Sequence, residues 1–342
     1  MGYKIALVRG DGVGPEVVSS AVQVLREVGF DAEYIEIKAG LSLFKETGKP
    51  IEDEELNKIK ECDAALKGPI ATLPGPGTYQ SVNVLLRKYF NLYVNFRPFE
   101  NLVNDKYPYF NFIIFRENTE ELYTGAEWTL DDTSIALRII TKSATQRIVN
   151  YSFNYALKNG RRRITVVHKA NILKETDGLF RETFFKESKK YTLQADEVIV
   201  DSAAYQLVKN PEQFDILVTP NLYGDILSDL AAGLVGSLGL CGSANIGDSY
   251  AIFEPVHGVA WDIAGKGIAN PIGAILSSSY LLDWLSEKHS DKRLARYSRM
   301  INLAVKNVLK LRNFTKELGG SLTIEELTKL IIEETKKIGE ML

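Results

Sequence analysis

KIALVRGDGVGPEVV, at residues 4–18, is the stretch that decides the fold. Lys4 to Val8 is a short apolar run that predicts a buried strand, and the glycines after it predict a tight turn. A helical spacing of apolar residues follows, at Val17, Val18, Ala21, Val22 and Leu25. A strand, a turn and a helix in this order are typical of a domain in which helices cover a parallel or mixed sheet.

The turn itself resembles a dinucleotide-binding fingerprint but fails its spacing. Gly10-Asp-Gly-Val-Gly-Pro-Glu16 has no third glycine or alanine at the required place, since position 15 is proline and position 17 is valine. Pro15 suits the first turn of a helix. A tight turn with a helix start is therefore favoured over phosphate binding.

The same alternation continues along the chain. We predict strands at 33–37, 64–67, 110–115, 134–140, 164–168 and 197–200, and helices at 51–62, 82–89, 222–234, 273–285, 294–311 and 324–338. The alternation of short strands and helices changes near Arg97 and Pro98, which marks a lobe boundary. The helices predicted at the end of the chain need a sheet to pack on. We therefore expect a discontinuous domain of residues 1–96 and 237–342 and a second domain of residues 97–236, with the site in a cleft between them.

Composition excludes several classes of protein. The chain has 342 residues with 41 basic and 44 acidic side chains, a formal net charge of −3, which argues against a nucleic-acid or acidic-membrane partner. Cys62 and Cys241 lack metal-ligand spacing, so we expect a reducing compartment and no zinc site. A charged leader and a long apolar run are both lacking, which predicts a cytoplasmic protein without a membrane segment.

Three arginines suggest an anion site. Asn83 and Arg87 share a helix face, and Ser81 stands at the start of that helix. Arg97 and Arg116 follow apolar runs, and we predict that both lie at strand ends, where a guanidinium suits bidentate capture of carboxylates. Residue patterns alone do not decide between two explanations of the three arginines. They bind one polyanionic ligand together, or they form unrelated salt bridges.

A set of acidic residues suggests a metal site. Asp225 and Asp229 are four apart on one helix, so their repulsion calls for a cation, and hard oxygen ligands suit Mg²⁺ or Mn²⁺. Asp201 follows an apolar run and is a candidate third ligand. The alternative is a helix-start acid beside a solvated one. Lys169, at a strand end where burial would lower its pKa, is a candidate base, and Tyr123 a candidate acid.

These motifs, taken in order, resemble the β-decarboxylating dehydrogenases: the isocitrate, homoisocitrate and isopropylmalate dehydrogenases. The resemblance covers nearly the whole chain through Gly10–Glu16, Lys67-Gly-Pro69, Ser81–Arg87, Arg97-Pro98, Arg116-Glu-Asn118 with Tyr123, His168-Lys-Ala-Asn171, Asn221–Asp229 and Glu254–Gly258 through Asn270-Pro271. It implies a two-domain α/β fold of the isocitrate/isopropylmalate dehydrogenase type, not the Rossmann fold. It also implies a homodimer or higher homo-oligomer with shared active sites.

The resemblance also implies roles for the site residues. Lys169, from the partner subunit, and Tyr123 would be the catalytic base and acid. Substrate carboxylates and hydroxyl would be bound by Ser81, Asn83, Arg87, Arg97, Arg116, Tyr123, Lys169 and Asn171. Mg²⁺ or Mn²⁺ would be held by Asp225 and Asp229 with Asp201 of the partner subunit. NAD would be bound by Thr72, His257, Gly258, Asp262, Ile263 and Asn270.

Cofactor and substrate follow from particular positions. NADP-dependent members have lysine and tyrosine where this chain has Asp262 and Ile263, so NAD is favoured, although Trp261 replaces a common proline. The polar Ser81 and Asn83 favour isocitrate or homoisocitrate over the alternative, 3-isopropylmalate. A loop at 72–80, one residue longer than in isocitrate enzymes, would make room for homoisocitrate. A non-catalytic regulatory subunit that binds citrate-like anions is the alternative of another class.

Overall fold

The computed structural model describes residues 2–75 and 78–341. The chain divides into two compact units. Unit 1 comprises Met1–Leu86, Gly236–Ala244 and Ser249–Leu342, and unit 2 comprises Arg87–Val235 and Asn245–Asp248. Both ends of the chain therefore belong to unit 1. The functional roles that we expect of the two domains remain predictions.

Unit 1 is a sheet with helical cover. Its strands are β1 (Tyr3–Val8), β2 (Ala32–Ile37), β3 (Ala64–Lys67), β11 (Gly242–Ile246) and β12 (Ala251–Pro255). Its helices are α1 (Gly14–Glu27), α2 (Leu41–Thr47), α3 (Asp53–Lys60), α4 (Val82–Tyr89), α9 (Ile272–His289), α10 (Lys292–Lys310) and α11 (Ile324–Met341). The strand order is β2-β1-β3-β12-β11, and the pairs from β2 to β12 are parallel.

The helical tail covers this sheet. Helix α9 packs on β12 and α1, while α10 packs on α9 and α11. Ten of the 18 residues in α9 are buried, three of them serines, as expected for a helix that packs between a sheet and another helix. At the other end of the chain Gly14 begins α1 against Arg9, whose carbonyl oxygen would lie 2.2 Å from a side-chain Cβ at that position. The opening turn therefore requires glycine there.

Unit 2 contains a second set of strands. These are β4 (Val94–Glu100), β5 (Asn111–Glu117), β8 (Arg163–His168), β9 (Gln194–Ile199) and β10 (Ile216–Thr219), in the order β4-β5-β10-β8-β9. All neighbours are parallel except β4 and β5. A separate hairpin pairs β6 (Glu127–Leu130) with β7 (Thr133–Ala136). The helices are α5 (Lys142–Lys158), α6 (Thr176–Ser188), α7 (Val200–Lys209) and α8 (Asn221–Val235). Residues of α4 and β11 belong to both units.

The structure differs from the sequence-based expectation in several details. The strand predicted at 134–140 is only the four-residue β7, and Arg97 lies in the middle of β4 rather than at its end. Strand β9 ends before Val200, which begins α7. Among the described residues, no helix is long and apolar enough to cross a membrane.

Candidate active site

Arg116 is the centre of a charged cluster in unit 2. Its side chain is 1% exposed, and Nε donates to Asn221 Oδ1 at 2.8 Å. Its Nη1 pairs with Asp225, and its guanidinium lies 4.9 Å from the centre of the Tyr123 ring. Gly224 permits this packing, because a Cβ there would lie 2.6 Å from the Arg116 side chain. Strand β5 and helix α8 thus bring a buried cation against the carboxylate.

Asp225 is the carboxylate that the other groups of this cluster contact. The Tyr123 hydroxyl donates to one carboxylate oxygen, while Arg116 contacts the other. Burial opposes ionisation of Asp225, but the charges of Arg116 and Arg97 outweigh it and hold the pKa of this carboxyl below its ordinary value. Burial raises the pKa of Tyr123 to about 12. Around neutral pH the pair is therefore a carboxylate beside a protonated phenol.

Arg97 approaches the same helix from β4. Its Nη1 donates to Ser228 Oγ and lies 3.6 Å from Asp225 and 3.9 Å from Asp229. Partial burial and the nearby Asp225 carboxylate raise the pKa of Asp229. One face of α8 therefore carries two carboxylates with buried guanidinium groups beside them.

Helix α4 and the residue before it carry the other predicted anion ligands. Arg87, in unit 2, is buried, and its charge lowers the pKa of Asp225. In unit 1, Ser81 Oγ accepts a hydrogen bond of 3.2 Å from Thr72. The Asn83 Oδ1 atom is buried without a hydrogen-bond partner in the part of the chain that the structure describes. An unsatisfied amide oxygen at this place has the chemistry to receive a polar group of a ligand.

Lys169 and Asp201 form a second, separate pair. Lys169 follows β8 and Asp201 lies in the first turn of α7, and their side chains are in contact. The backbone N–H of Lys169 donates to the buried Asp177 at 2.6 Å. Asn171 is exposed on the same segment. The Lys169 side chain is 28% exposed and that of Asp201 is 68% exposed in the single chain, and the role of Lys169 as a base remains a prediction.

Within one chain, the three predicted metal ligands lie in two separate places. Across residues 2–75 and 78–341, no three side chains of histidine, cysteine, aspartate or glutamate lie close enough together to hold a metal ion. Asp225 and Asp229 share a face of α8, whereas Asp201 is paired with Lys169. A complete three-carboxylate site therefore needs a ligand from outside this cluster.

A cavity of about 410 Å³ lies in unit 1 and is lined by four of the six predicted cofactor residues. These are His257, Gly258, Ile263 and Asn270. Asp262 is exposed on the same loop, while Thr72 is not part of the lining. The His257 Nε2 atom is buried and lacks a hydrogen-bond partner among the described residues, and burial lowers the pKa of this imidazole. A neutral ring with an unused nitrogen suits a polar, uncharged part of a ligand.

Sequence reasoning missed one acid at this cavity. Glu317 also lines it, and its Oε1 accepts from Ser237 at 2.8 Å and from Asn270 at 2.9 Å. Glu317 lies in a short helical turn, Lys316–Leu318, far along the chain from the other lining residues. Only the tertiary fold brings it here, so no spacing in the sequence indicates its place.

A buried ionic network was also missed, in unit 2. Arg138 lies 2.5 Å from Glu121 and 2.9 Å from Asp177, two carboxylates with no exposed surface. Glu121 accepts from the backbone N–H of Leu222 at the start of α8, and Asp177 accepts from that of Lys169. The network thus connects the helix of the arginine cluster with the segment of Lys169. Arg138 lies in the stretch 134–140 that we predict as a strand. That prediction gives no indication of the buried carboxylates of Glu121 and Asp177 that pair with it.

Comparison with known proteins defines the class. Residues 4–337 match the family model described as isocitrate/isopropylmalate dehydrogenase. The chain belongs to this family, and it is a β-decarboxylating dehydrogenase acting on a CH–OH group.

The relatives carry several substrate names. The homoisocitrate dehydrogenase of Methanocaldococcus jannaschii is 44% identical over 98% of both chains. The isocitrate/homoisocitrate dehydrogenase of Thermus thermophilus is 44% identical over 99% of this chain and 100% of its own. Among solved structures, the isocitrate dehydrogenase of Methylococcus capsulatus superposes with a TM-score of 0.92 at 39% identity, covering 98% of this chain and 99% of that one.

Proposed function

We propose that this protein catalyses the NAD-dependent and divalent-metal-dependent oxidative decarboxylation of a 3-substituted malate, namely isocitrate or homoisocitrate. The observation that carries the proposal is the cluster of buried Arg97 and Arg116 around Asp225 and Tyr123. Buried guanidinium groups beside a phenol and two carboxylates match what a polycarboxylate bound to a cation requires. The products would be 2-oxoglutarate from isocitrate and 2-oxoadipate from homoisocitrate.

We assign substrate binding to the three arginines. The Arg116 Nη2 atom is buried without a hydrogen-bond partner within the described residues, so the N–H groups of this nitrogen remain to donate to a carboxylate. Arg97 and Arg87 supply further positive charge around Asp225. Because charge-assisted, bidentate hydrogen bonds are the strong ones, these three residues would fix the carboxylates of the malate core.

The donor set fits a hard divalent cation in part. Asp225 and Asp229 offer carboxylate oxygens from one helix face, and Asp201 of a second copy of the chain would complete the set. Mg²⁺ or Mn²⁺, when bound, polarises the carbonyl and stabilises negative charge as carbon dioxide departs. The Arg97 and Arg116 contacts hold Asp225 ionised, which is the state that a cation ligand needs.

Two residues would move the protons. Lys169 of a second copy would accept the proton of the substrate hydroxyl during oxidation. Tyr123, protonated around neutral pH because its pKa is about 12, would then donate its proton to the carbon that lost carbon dioxide. The contact between its hydroxyl and Asp225 places the phenol beside the carboxylate that would hold the cation.

A homodimer would bring Lys169 and Asp201 to a site on another copy. Large apolar side chains are exposed on the helices that carry the aspartates: Tyr205 at 67% and Val208 at 49% on α7, and Ile226 at 58% on α8. The β6-β7 hairpin adds Trp128 at 44% exposure. Exposed apolar surface of this kind is typical of a protein–protein interface.

The cavity of unit 1 would bind NAD, which accepts the hydride in this chemistry. The unused His257 Nε2 and the carboxylate of Glu317 provide polar contacts inside it. Asp262 is exposed on the same loop, where its charge would accept from ribose hydroxyls and repel the additional phosphate of NADP. Ile263 lines the cavity in the place of the tyrosine of NADP-dependent members.

Ser81 and Asn83 favour a third carboxylate on the substrate over an isopropyl group. The Asn83 side-chain N–H and the Ser81 hydroxyl, which accepts from Thr72, would both donate to a carboxylate, whereas methyl groups would leave these donors unpaired. The loop at 72–80 would leave room for homoisocitrate, although its Pro76 and Gly77 lie outside the described residues.

The proposal is tested by assaying purified protein with NAD and each acid, with Mg²⁺ and again after chelation with EDTA. We expect equal amounts of NADH and carbon dioxide with at least one of the two acids, and loss of both products after chelation. The absence of NADH with both acids in the presence of Mg²⁺ would refute the proposal.

A further inference from the structure

The opening motif, Gly10–Glu16, takes no part in the chemistry proposed above. It fails the dinucleotide fingerprint, yet Asp11, Val13 and Gly14 are buried within unit 1. Their neighbour is the segment of residues 259–267, which we call the cofactor loop because Ala260 and Ile263 line the cavity.

One end of the cofactor loop is fixed by the turn of the motif. The backbone N–H of Val13 donates to the carbonyl oxygen of Val259 at 2.9 Å. Gly12 has a φ of +60°, and a Cβ there would lie 1.8 Å from the same oxygen. Position 12 therefore requires glycine for both its conformation and its close approach. Val13 is also a lining residue of the cavity, so the turn and the loop meet at its wall.

The other end of the loop is fixed by the helix that follows the turn. The carboxylate of Glu16, in the first turn of α1, accepts from the backbone N–H of Gly265. Between the two fixed points, Ala260 has a φ of +43°, a conformation that side chains disfavour, and its carbonyl accepts from Ile263 at 3.1 Å. A strained turn persists only where its surroundings hold it, and Glu16 supplies one such restraint.

We infer that Glu16 is a positioning residue for the cofactor, acting through the loop that carries Asp262 and Ile263. Glu16 does not line the cavity, so its effect on NAD would be transmitted by Gly265. The inference rests on the proposed function only in naming NAD as the occupant. It accounts for an acidic residue in the motif where a phosphate-binding turn would disfavour one.

The test compares Glu16→Ala with Glu16→Gln, which keeps a carbonyl oxygen to accept from Gly265. Glu46→Ala is the matched control, because Glu46 is an exposed glutamate of α2 in the same unit. NADH binding is measured by the fluorescence of the bound nucleotide, and hydrogen exchange of residues 259–267 is measured without nucleotide. Michaelis constants for NAD and for the acid substrate complete the set.

Loss of a hydrogen bond to a charged group is expected to weaken NADH binding of Glu16→Ala about tenfold. The same variant should show faster exchange across the loop and a raised KM for NAD, with an unchanged KM for the acid. Glu16→Gln should stay within about threefold of the wild type because an uncharged acceptor retains part of the bond. Glu46→Ala should behave as the wild type in every assay.

Two negative results have different meanings. Wild-type affinity for NADH and wild-type loop exchange in Glu16→Ala would overturn the inference while leaving the proposed function intact. A wild-type protein that binds no NADH would overturn the proposed cofactor, and with it the role that we assign to Glu16.

Discussion

Replacing Arg116 by lysine keeps the positive charge but removes the planar fork that the site uses. The shorter ammonium group cannot donate to Asn221 and Asp225 while also offering an edge to a substrate carboxylate. Each hydrogen bond between charged groups contributes roughly 1.5–3 kcal/mol, so losing the bidentate part costs the bound substrate about 3 kcal/mol. This corresponds to a fall in kcat/KM of about a hundredfold.

The assay measures kcat/KM for the preferred acid and the KM for NAD in the same preparations. Arg181→Lys is the matched control, because Arg181 forms a surface pair with Glu197 and both side chains are more than a third exposed. A surface ion pair contributes only about 0–1 kcal/mol, and Arg181 is not among the proposed site residues. The control should therefore keep its kcat/KM within about twofold of the wild type.

Arg116→Lys should leave the KM for NAD unchanged, because the cavity of unit 1 has a separate set of lining residues. If Arg116→Lys retains kcat/KM within about threefold of the wild type, bidentate binding by this guanidinium is refuted. A parallel rise in the KM for NAD would show that the substitution damages the fold and not one binding site.

Further substitutions test the acid, the cofactor loop and a buried carboxyl. Tyr123→Phe removes the proposed proton donor and should lower kcat by about 10²–10⁴-fold, as stopped-flow turnover would show; an unchanged kcat excludes Tyr123 as the acid. Asp262→Lys combined with Ile263→Tyr should move the ratio of kcat/KM values from NAD toward NADP, and an unaltered ratio contradicts the assignment of the loop. Glu120 has a pKa raised by burial to about 7, so its contribution to stability falls as pH rises from about 4.5 to about 7. Glu120→Gln should therefore show a shallower loss of unfolding free energy over this range in urea titrations, whereas identical pH slopes would contradict that burial effect.

The regular elements were predictable where an apolar period was strong. The structure has β3 at Ala64–Lys67 and α4 at Val82–Tyr89, the bounds that the sequence predicts. Strand β11 was missed because its sequence, Gly242–Ile246, mixes polar residues with small ones although all five are buried. Ser243 is satisfied there by Ser277 and by the carbonyl of Glu254, partners that only the tertiary fold supplies.

Site residues were predictable where the residue type itself limits the chemistry. They were less predictable where tertiary packing determines which side chains meet. Arg116 and Asp225 were both singled out by sequence, and the structure brings them together. The pairing of Lys169 with Asp201 joins two residues that are 32 positions apart, so it depends on the fold and not on spacing. Glu317 and Glu16 reach the cavity and its loop from distant parts of the chain, so their places depend on the fold alone.

The measurement that tests the central claim most directly is a side-by-side determination of kcat/KM for isocitrate, homoisocitrate and 3-isopropylmalate, with NAD and Mg²⁺. One methylene group in a binding site changes discrimination by about 1–3 kcal/mol, so the first two acids should differ by no more than roughly two hundredfold. We predict that both exceed 3-isopropylmalate, because Ser81 and Asn83 are polar. A higher kcat/KM for 3-isopropylmalate than for either tricarboxylate would contradict the account.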